Sequence, residues 1–569
     1  MRPVPRSRHL LAVMVFAAIA ATSAYLASMD NRLSSAQISI ATAAVKRHNP
    51  DAFPHDLVFG ESKLWLFHTP AFQSLLELVL VPTGYHDLHL PFRVLAGVVT
   101  MLYLCGMYAL LYAQCRSWSV SAFVAVLSAR VIAVLGGGVW GVGSLESMTP
   151  AGLCGAVYPL LVLGFARYSR PAPAEARSGQ WRLLLLFAIV GFAGNVHLPT
   201  AMNMTLVLLI AYVARQSFSP RCLPIAIGCG LASLLAASPT VGYVLGIRAM
   251  LGRADPEAVV EIIHEAFRIG EITVLYPDLL KAALHWRMLA AALVLVVPAA
   301  SVILRIERFR AQDVGLWASL VVASLFVALA LHGASQWLGE KLHTAPPVIE
   351  FLRASCLLLL PLYVLQAQAL TNLFRLLRGH RHALRWVCAA LMAAWMVPSD
   401  NCRVARHAVS DLATAFIHED DKPSYVLRHA EQRARARELQ AIAQWAAGRD
   451  RSIYLTDRDE FRMLARRPIF VGPNDARYVY YLTPGRLGEW LDRFKAQQAL
   501  LHPPAGRADG ELIAQFVAKR IEADQAKTDL ASMEWYVILR AEAAGAKPGP
   551  LTPVEGKAWG QHYRLYRVR

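Results

Sequence analysis

Apolar stretches follow one another along residues 1–400 with short polar breaks between them, while residues 401–569 mix apolar and polar positions like ordinary water-soluble protein. A helix that crosses a bilayer needs about 20 apolar residues. Candidate spans lie near 10–29, 94–114, 119–139, 151–166, 183–195, 200–214, 222–247, 288–304, 314–332, 351–373 and 384–398. The pattern predicts a polytopic α-helical membrane protein of about eleven spans (residues 1–400) followed by a C-terminal domain (401–569). In that domain 431–448 and 485–494 have helical character, and 453–455 and 469–471 read as strands. Helix alternating with strand predicts a small α/β domain.

Composition agrees. Mean hydropathy is +0.38 and only 17% of the 569 residues are charged, against about 25% in soluble chains. The net charge of +17 does not point to nucleic acid, because no basic stripe alternates with aromatics and no nucleic-acid module is visible. Many arginines sit instead in every second loop: Arg2, Arg6 and Arg8; Arg116; Arg167, Arg170, Arg177 and Arg182; Arg215 and Arg221; Arg305, Arg308 and Arg310; Arg375, Arg378, Arg381 and Arg385. The loops at 140–150 and 195–199 carry no Lys or Arg. By the positive-inside rule the N-terminus is cytoplasmic, and an odd number of spans puts the C-terminal domain outside the membrane. The first segment also fits a cleaved signal peptide, with small residues Ala20–Ala24 after its apolar middle,. Seven of the eight cysteines lie in or beside apolar segments and none forms a CxxC pair. A cysteine metal site or a disulfide within the C-terminal domain is therefore not expected.

The polar chemistry collects on the outward loops. The first, about 30–92, holds Asp30, Asp51, Asp56, Glu61, Lys63, Trp65 and His68, with helix-breaking Pro50 and Pro54,. Its apolar run 57–67 suggests a segment lying on the membrane interface. The second contains Glu146, the third (248–287) Glu261, His264 and Glu265, the fourth (333–350) Lys341, His343 and Glu350. Asp30, at the mouth of the first span, is a candidate general base whose pKa burial would raise. Asp56 and Glu146 are candidate supporting acids; Asp56 also fits a plain Asx turn. Arg353, just inside its span, must face a cavity or partner, and its fork suits a phosphate; Glu350, three residues earlier, suits it as an ion-pair partner. Lys341, His343 and His197 could assist. Arg130 falls inside the expected third span, where a buried pair or a snorkelling side chain would account for it. Tyr478–Tyr481 and Trp490 could stack on sugars or simply fill a core.

A long acidic loop after the first span, many further spans and an external C-terminal domain resemble the GT-C fold glycosyltransferases. Asp30-Asn31, the 49–56 segment, Gly194-Asn195-Val196-His197, the 349–355 segment, Phe461-Arg462 and the 466–471 segment are similar to bacterial members. In better-known members a second acid follows the first; here Asn31 stands there. The resemblance implies transfer of a sugar from a polyprenyl-phosphate-linked donor to a cell-envelope glycan, lipid or protein outside the bacterial cytoplasmic membrane. Asp30, Asp56 and Glu146 would then be catalytic, and Arg353, Lys341, His343 and His197 would hold the donor phosphate. Two carboxylates and a divalent cation would suit phosphate departure, yet many enzymes of this fold work without metal, so no cofactor is assigned. A flippase for lipid-linked glycans and a non-catalytic envelope scaffold are the alternative readings.

Overall fold

The computed structural model describes residues 6–30, 32–60, 62–134, 139–170, 177–251, 265–266, 314–341, 350–415, 417, 423–502, 509–523, 530–542, 550–556 and 558–569. The expected span at 288–304, most of the 248–287 loop, and His343 lie outside them.

The chain is a mostly helical, multi-pass membrane protein. Helix α1 (Arg6–Ser28) leads into α2 (Ser35–His48), a 3-10 turn (Leu64–Phe67) and α3 (Pro70–Leu80). Ser34 opens α2 with a capping box: Gln37 donates its backbone N–H to the Ser34 hydroxyl, and the Gln37 side chain accepts from Ser34 N–H at 2.7 Å,. Then come α4 (Leu90–Cys115), α5 (Trp118–Ser128), α6 (Pro150–Tyr168), α7 (Arg177–Ala193), α8 (Leu198–Arg215) and α9 (Leu223–Leu251). Contacts between helix ends show the up-and-down order. Arg93 in the first turn of α4 donates to the Ser28 carbonyl at 2.6 Å, while Arg215 at the end of α8 donates to Ser169 Oγ after α6 at 2.5 Å. The first pair marks the distal face, which carries α2 and α3; the second marks the opposite, basic face.

Seven helices among the described residues are long and apolar enough to cross a membrane: Leu10–Ser28, Leu90–Cys115, Pro150–Tyr168, Leu198–Arg215, Pro220–Ile247, Val314–Gly339 and Phe351–Leu376. Expected spans at 183–195 and 384–398 fall on shorter helices, Gln180–Ala193 and Arg381–Met396. The span expected at 119–139 is corrected. Its helix stops at Ser128, and a two-stranded hairpin, β1 (Ile132–Ala133) and β2 (Val139–Trp140), replaces the rest. Eleven helical residues rise about 16 Å, half of the hydrocarbon core. Tyr103, halfway along α4, donates to the Ser128 carbonyl at 3.1 Å, and Trp140 Nε1 donates to the same oxygen at 3.0 Å. Non-helical backbone at that depth survives because protein groups satisfy it. Arg130 sits on the turn rather than inside a span. It donates to the Trp395 carbonyl at 2.8 Å and lies 4.0 Å over the Trp395 ring.

Helix α7 packs tightly on α9. A Cβ at Gly191 would run into the Ser233 carbonyl oxygen, so glycine lets the two backbones touch, as small residues do between membrane helices. Near it Pro239 interrupts α9, and Asn195 fills the gap. Its side-chain amide donates to the Ala236 carbonyl at 3.0 Å and accepts from Thr240 N–H at 3.2 Å. One side chain thus restores the two groups a continuous helix would have paired with each other.

After helix Arg403–Thr414 comes a four-stranded sheet of order β3-β4-β6-β5, with β3 (Ser452–Leu455), β4 (Glu534–Arg540), β5 (Leu551–Val554) and β6 (Tyr563–Val568). β3 and β4 are parallel (Ile453 opposite Trp535) and the other pairs antiparallel. Alternation along the strands gives two apolar faces. Tyr454, Tyr536 and Ile538 pack on Leu439, Ile442 and Ala446 of helix Ser424–Ala447. Ile453, Trp535 and Val537 belong to a second core that runs without a break into the bundle. The 57–67 run joins that core. Leu57, Val58, Phe59 and Leu64 are buried, and Phe59 and Phe67 meet Tyr478 edge-on. The run therefore lies under the C-terminal domain rather than on a lipid surface. Tyr478, Tyr480, Tyr481 and Trp490 are core residues too.

Gly191→Ala should lower stability in detergent by about 1–3 kcal/mol, read as an earlier melting temperature. An unchanged melting temperature would show that α7 and α9 do not rely on this contact.

Candidate functional site

Three clusters on the distal face gather most of the residues singled out above. The first is built around Asp30, two residues past the end of α1. Its carboxylate is 6% exposed. Oδ1 accepts from Arg32 N–H at 3.2 Å; Oδ2 accepts from Leu145 N–H at 3.3 Å and from the Arg403 guanidinium at 2.5 Å. The other arm of Arg403 reaches Glu146 Oε1 at 3.2 Å, with Asp400 at 3.7 Å and Arg32 pairing with Glu146 at 3.4 Å. Asp30 and Glu146, both expected from sequence, are thus brought together, and the bridge between them is Arg403, which sequence reasoning missed. Glu146, with 30% of its side chain exposed, is the more open of the two acids.

Backbone chemistry holds this cluster in place. Ser144 caps the short turn Leu145–Ser147, accepting from Glu146 N–H at 3.3 Å. Gln37 of α2 donates to the carbonyls of Leu145 and Met148, the latter at 2.7 Å. On the other flank Asn401 donates to Ala129 O at 2.9 Å and to Val142 O at 2.5 Å, and accepts from Val131 N–H at 3.1 Å. So the turn that carries Glu146 is fastened to α2, and the hairpin before it to the segment that carries Arg403.

The second cluster holds Arg353 and His197. Arg353 pairs with Glu350 one turn earlier, and the other oxygen of Glu350 accepts from the Tyr481 hydroxyl. Asn203 of α8 donates to the Glu350 carbonyl at 3.1 Å. Burial, then the Glu350 carboxylate, push the Tyr481 hydroxyl well up, so it stays a donor. His197 caps α8: its Nδ1 accepts from Thr200 N–H at 3.3 Å and meets Thr200 Oγ1 at 2.7 Å. Burial first, and the Arg353 charge second, push its pKa down to about 3. His197 is therefore a neutral ring near Arg353, with Nε2–H as its spare donor, and not a cation for phosphate. Lys341 ends its helix exposed to solvent, and no bond joins it to Arg353 among the described residues.

The third cluster holds Asp56. Its side chain is fully buried and its oxygens take four donors: Val58 N–H and Phe59 N–H at 3.0 Å each, Ile469 N–H at 3.3 Å and Arg462 Nε–H at 2.7 Å. Arg462 grips Asp475 with both remaining arms, at 2.9 and 2.8 Å. Asp56 is thus an Asx turn and an ionic tether to the C-terminal domain, with no lone pair left for an acceptor hydroxyl. Asp459 completes the cluster, accepting from Asn474 Nδ2 at 2.6 Å. Burial, then the neighbouring Asp475 charge, push its pKa up to about 7. One guanidinium cannot neutralise three buried carboxylates, and the least engaged one keeps its proton.

Among the described residues no three His, Cys, Asp or Glu side chains are grouped to hold a metal ion. At Asp30 and Glu146 the guanidinium of Arg403 occupies the place between the acids.

No family model matches the chain and no curated protein matches it. Among solved structures the chain is similar to the crystal structure of ArnT from Cupriavidus metallidurans bound to undecaprenyl phosphate. Identity is 14%, the match covers 98% of this chain and 97% of that one, and the TM-score is 0.45.

Arg462→Ala should destabilise the chain by about 3–5 kcal/mol, because it leaves Asp56 and Asp475 buried without a counter-charge; urea or thermal unfolding measures this. Asp459 makes stability depend on pH. Its proton is held in the folded chain and released on unfolding between its ordinary value, 3.8, and about 7. Its contribution is complete below pH 3.8 and is lost as pH rises through 7. Wild type should therefore lose up to about 1.4 kcal/mol per pH unit across that window relative to Asp459→Asn, and parallel melting curves for the two would refute the assignment.

Proposed function

We propose that the chain is a membrane glycosyltransferase of the GT-C type that works at the distal face, taking its sugar from a polyprenyl-phosphate-linked donor in the bilayer. The observation that carries the reading is the Asp30–Arg403–Glu146 cluster: two carboxylates and a guanidinium at the mouth of the first span, where a lipid phosphate and a water-borne acceptor would meet. Position alone also favours Arg353, which heads the span Phe351–Leu376 on the same face.

In the proposed reaction an acceptor hydroxyl attacks the anomeric carbon of the donor sugar. The bond from that carbon to the phosphate oxygen breaks, and the lipid phosphate leaves. The hydroxyl proton passes to Asp30, the base, with Glu146 orienting the acceptor. Asp30 Oδ2 is taken up by two donors while Arg403 holds it. A phosphate, with more charge and a matching oxygen geometry, competes for that guanidinium. Binding the donor then frees Asp30 Oδ2 and places a cation on the leaving group in one step, the kind of charge stabilisation that lowers such barriers most. Arg353, released from Glu350 in the same way, would hold a second phosphate oxygen. The Asn at position 31 means that the second acid comes from Glu146, across the loop, rather than from the next residue. The C-terminal domain is proposed to stand in the periplasm of a bacterium, with the N-terminus in the cytoplasm, following the arginine pattern of the loops. The acceptor is proposed to be a cell-envelope glycan, lipid or protein.

The test is transfer of labelled sugar from polyprenyl phosphate to envelope extract by the full chain in lipid. Asp30→Asn should cut turnover at least about 100-fold, while its melting temperature confirms that it folds. Full transfer by folded Asp30→Asn would remove Asp30 as the base. Wild type that takes up the donor yet transfers nothing would favour a scaffold that keeps the fold without the chemistry.

A further inference from the structure

Helix Arg403–Thr414 is inside out for the first helix of a water-soluble domain. Its residues Ala405, Ala408, Val409, Leu412 and Ala413 fall at i, i+3, i+4, i+7 and i+8, which is one helix face,. A surface helix ordinarily turns such a stripe to the core. Here Val409 and Leu412 are 66% and 71% exposed, and Ala408 and Ala413 are exposed beside them. The buried residues are Arg403 and Thr414, on the opposite, polar face. That face carries contacts to the rest of the chain. Arg403 reaches Asp30 and Glu146, the His407 ring lies 4.2 Å from the His429 ring, and Asp411 accepts from two nitrogens of Arg433 at 2.8 and 3.2 Å.

Its neighbours fix which way the bare stripe looks. Arg403 meets Asp30, two residues beyond the first span, so the helix starts at the level where the chain leaves the hydrocarbon. His429 and Arg433 belong to helix Ser424–Ala447, whose Leu439, Ile442 and Ala446 pack on the sheet. The sheet domain therefore lies on the polar side of helix Arg403–Thr414, and the apolar side is turned away from it. Helix Arg381–Met396, just before, also presents large apolar residues outward, Trp386, Val387 and Leu391. A lipid-facing helix does the same. Apolar surface thus continues from that helix onto the next, past the point where the water-soluble pattern of the sequence begins.

We propose that helix Arg403–Thr414 is seated in the interface layer of the distal leaflet, with Val409 and Leu412 among phospholipid acyl chains and the polar face toward the protein. The occupant of the stripe is phospholipid, because the preceding helix already brings the bilayer to this point and the sheet domain stands on the other side. The five stripe residues carry no charge, so the contact is with acyl chains and not through paired headgroups. The bilayer then supports from outside the helix whose inner face carries Arg403, which makes lipid a structural partner of the Asp30–Glu146 cluster. The inference rests on the multi-pass fold and holds with or without sugar transfer.

Photo-crosslinking of the full chain in phosphatidylcholine nanodiscs tests it. A benzophenone side chain is placed singly at Val409, Leu412, Trp386 or Gln440, and adducts are identified by mass after irradiation; a melting temperature equal to that of wild type shows that each labelled chain is folded. Val409 and Leu412 should give phospholipid adducts at a yield comparable with Trp386 and at least about tenfold above Gln440, which is exposed on helix Ser424–Ala447,. Adding anionic phosphatidylglycerol should leave those yields unchanged. Yields at Val409 and Leu412 no higher than at Gln440, while Trp386 labels lipid, would overturn the proposal. Crosslinks from Leu412 to a second copy of the chain would overturn it as well, since the stripe would then be a protein interface. A yield that rises with the anionic lipid would overturn the acyl-chain contact in favour of headgroups.

Discussion

The C-terminal domain is tied to the membrane part at a fully buried guanidinium. Arg462 bonds Asp56 on the first distal loop and Asp475 at the head of helix Asp475–Leu482. Around it Phe59 packs beneath the charge at 5.0 Å, and Tyr478 lies edge-on to Phe59. Buried ion pairs gain little net energy, because desolvation cancels most of the attraction. What this one supplies is position: a bidentate grip on one side and a single bond on the other admit one relative placement of loop and domain. The loop's apolar run, otherwise a patch for lipid, then has a lid.

The same logic recurs at smaller scale across the distal face. Gln37 fastens the turn at 145–148, Asn401 fastens the hairpin at 129–142, and Asn195 fills the break at Pro239. Each is a side-chain amide that answers main-chain groups left open by irregular backbone. Such groups cannot be left bare near a bilayer. The distal face can therefore carry loops, caps and ion pairs. Arg403 and Arg353 are cations on the face that the positive-inside rule would leave poor in them, and both are neutralised by acids.

Much of the helical layout was legible because apolar length is a local signal. The span at 119–139 misled because Val131–Val134 continue the apolar run after the helix has ended; the hairpin depends on Tyr103 and Trp140, which no local window joins. In the sheet domain the runs at 453–455 and 469–471 were readable. The strand Glu534–Arg540 is an apolar run that periodicity alone does not separate from a buried helix, and Tyr563–Val568 hides its alternation under two arginines. Among site residues, Asp30 and Glu146 could be proposed from position after a span and from isolation in an uncharged loop. Arg403 could not, because its partner is 373 residues away; its one signal was a basic residue just after the last helix, on the wrong side. Asp56 illustrates a choice between readings of equal local merit: the Pro-rich turn fitted both an acid and an Asx turn, and only the distant Arg462 decides.

The 406 residues between Asp56 and Arg462 also set a clock. At about 5–20 residues per second, the ribosome delivers Arg462 roughly 20–80 s after Asp56. For that interval the first loop carries a carboxylate and an apolar run that the C-terminal domain does not yet cover. The newborn chain must either be chaperoned there or hold the loop in a provisional fold, and a chain cut short before Arg462 never makes this closure. The arrival of Arg462 is thereby built into the geometry as the condition for a finished distal surface.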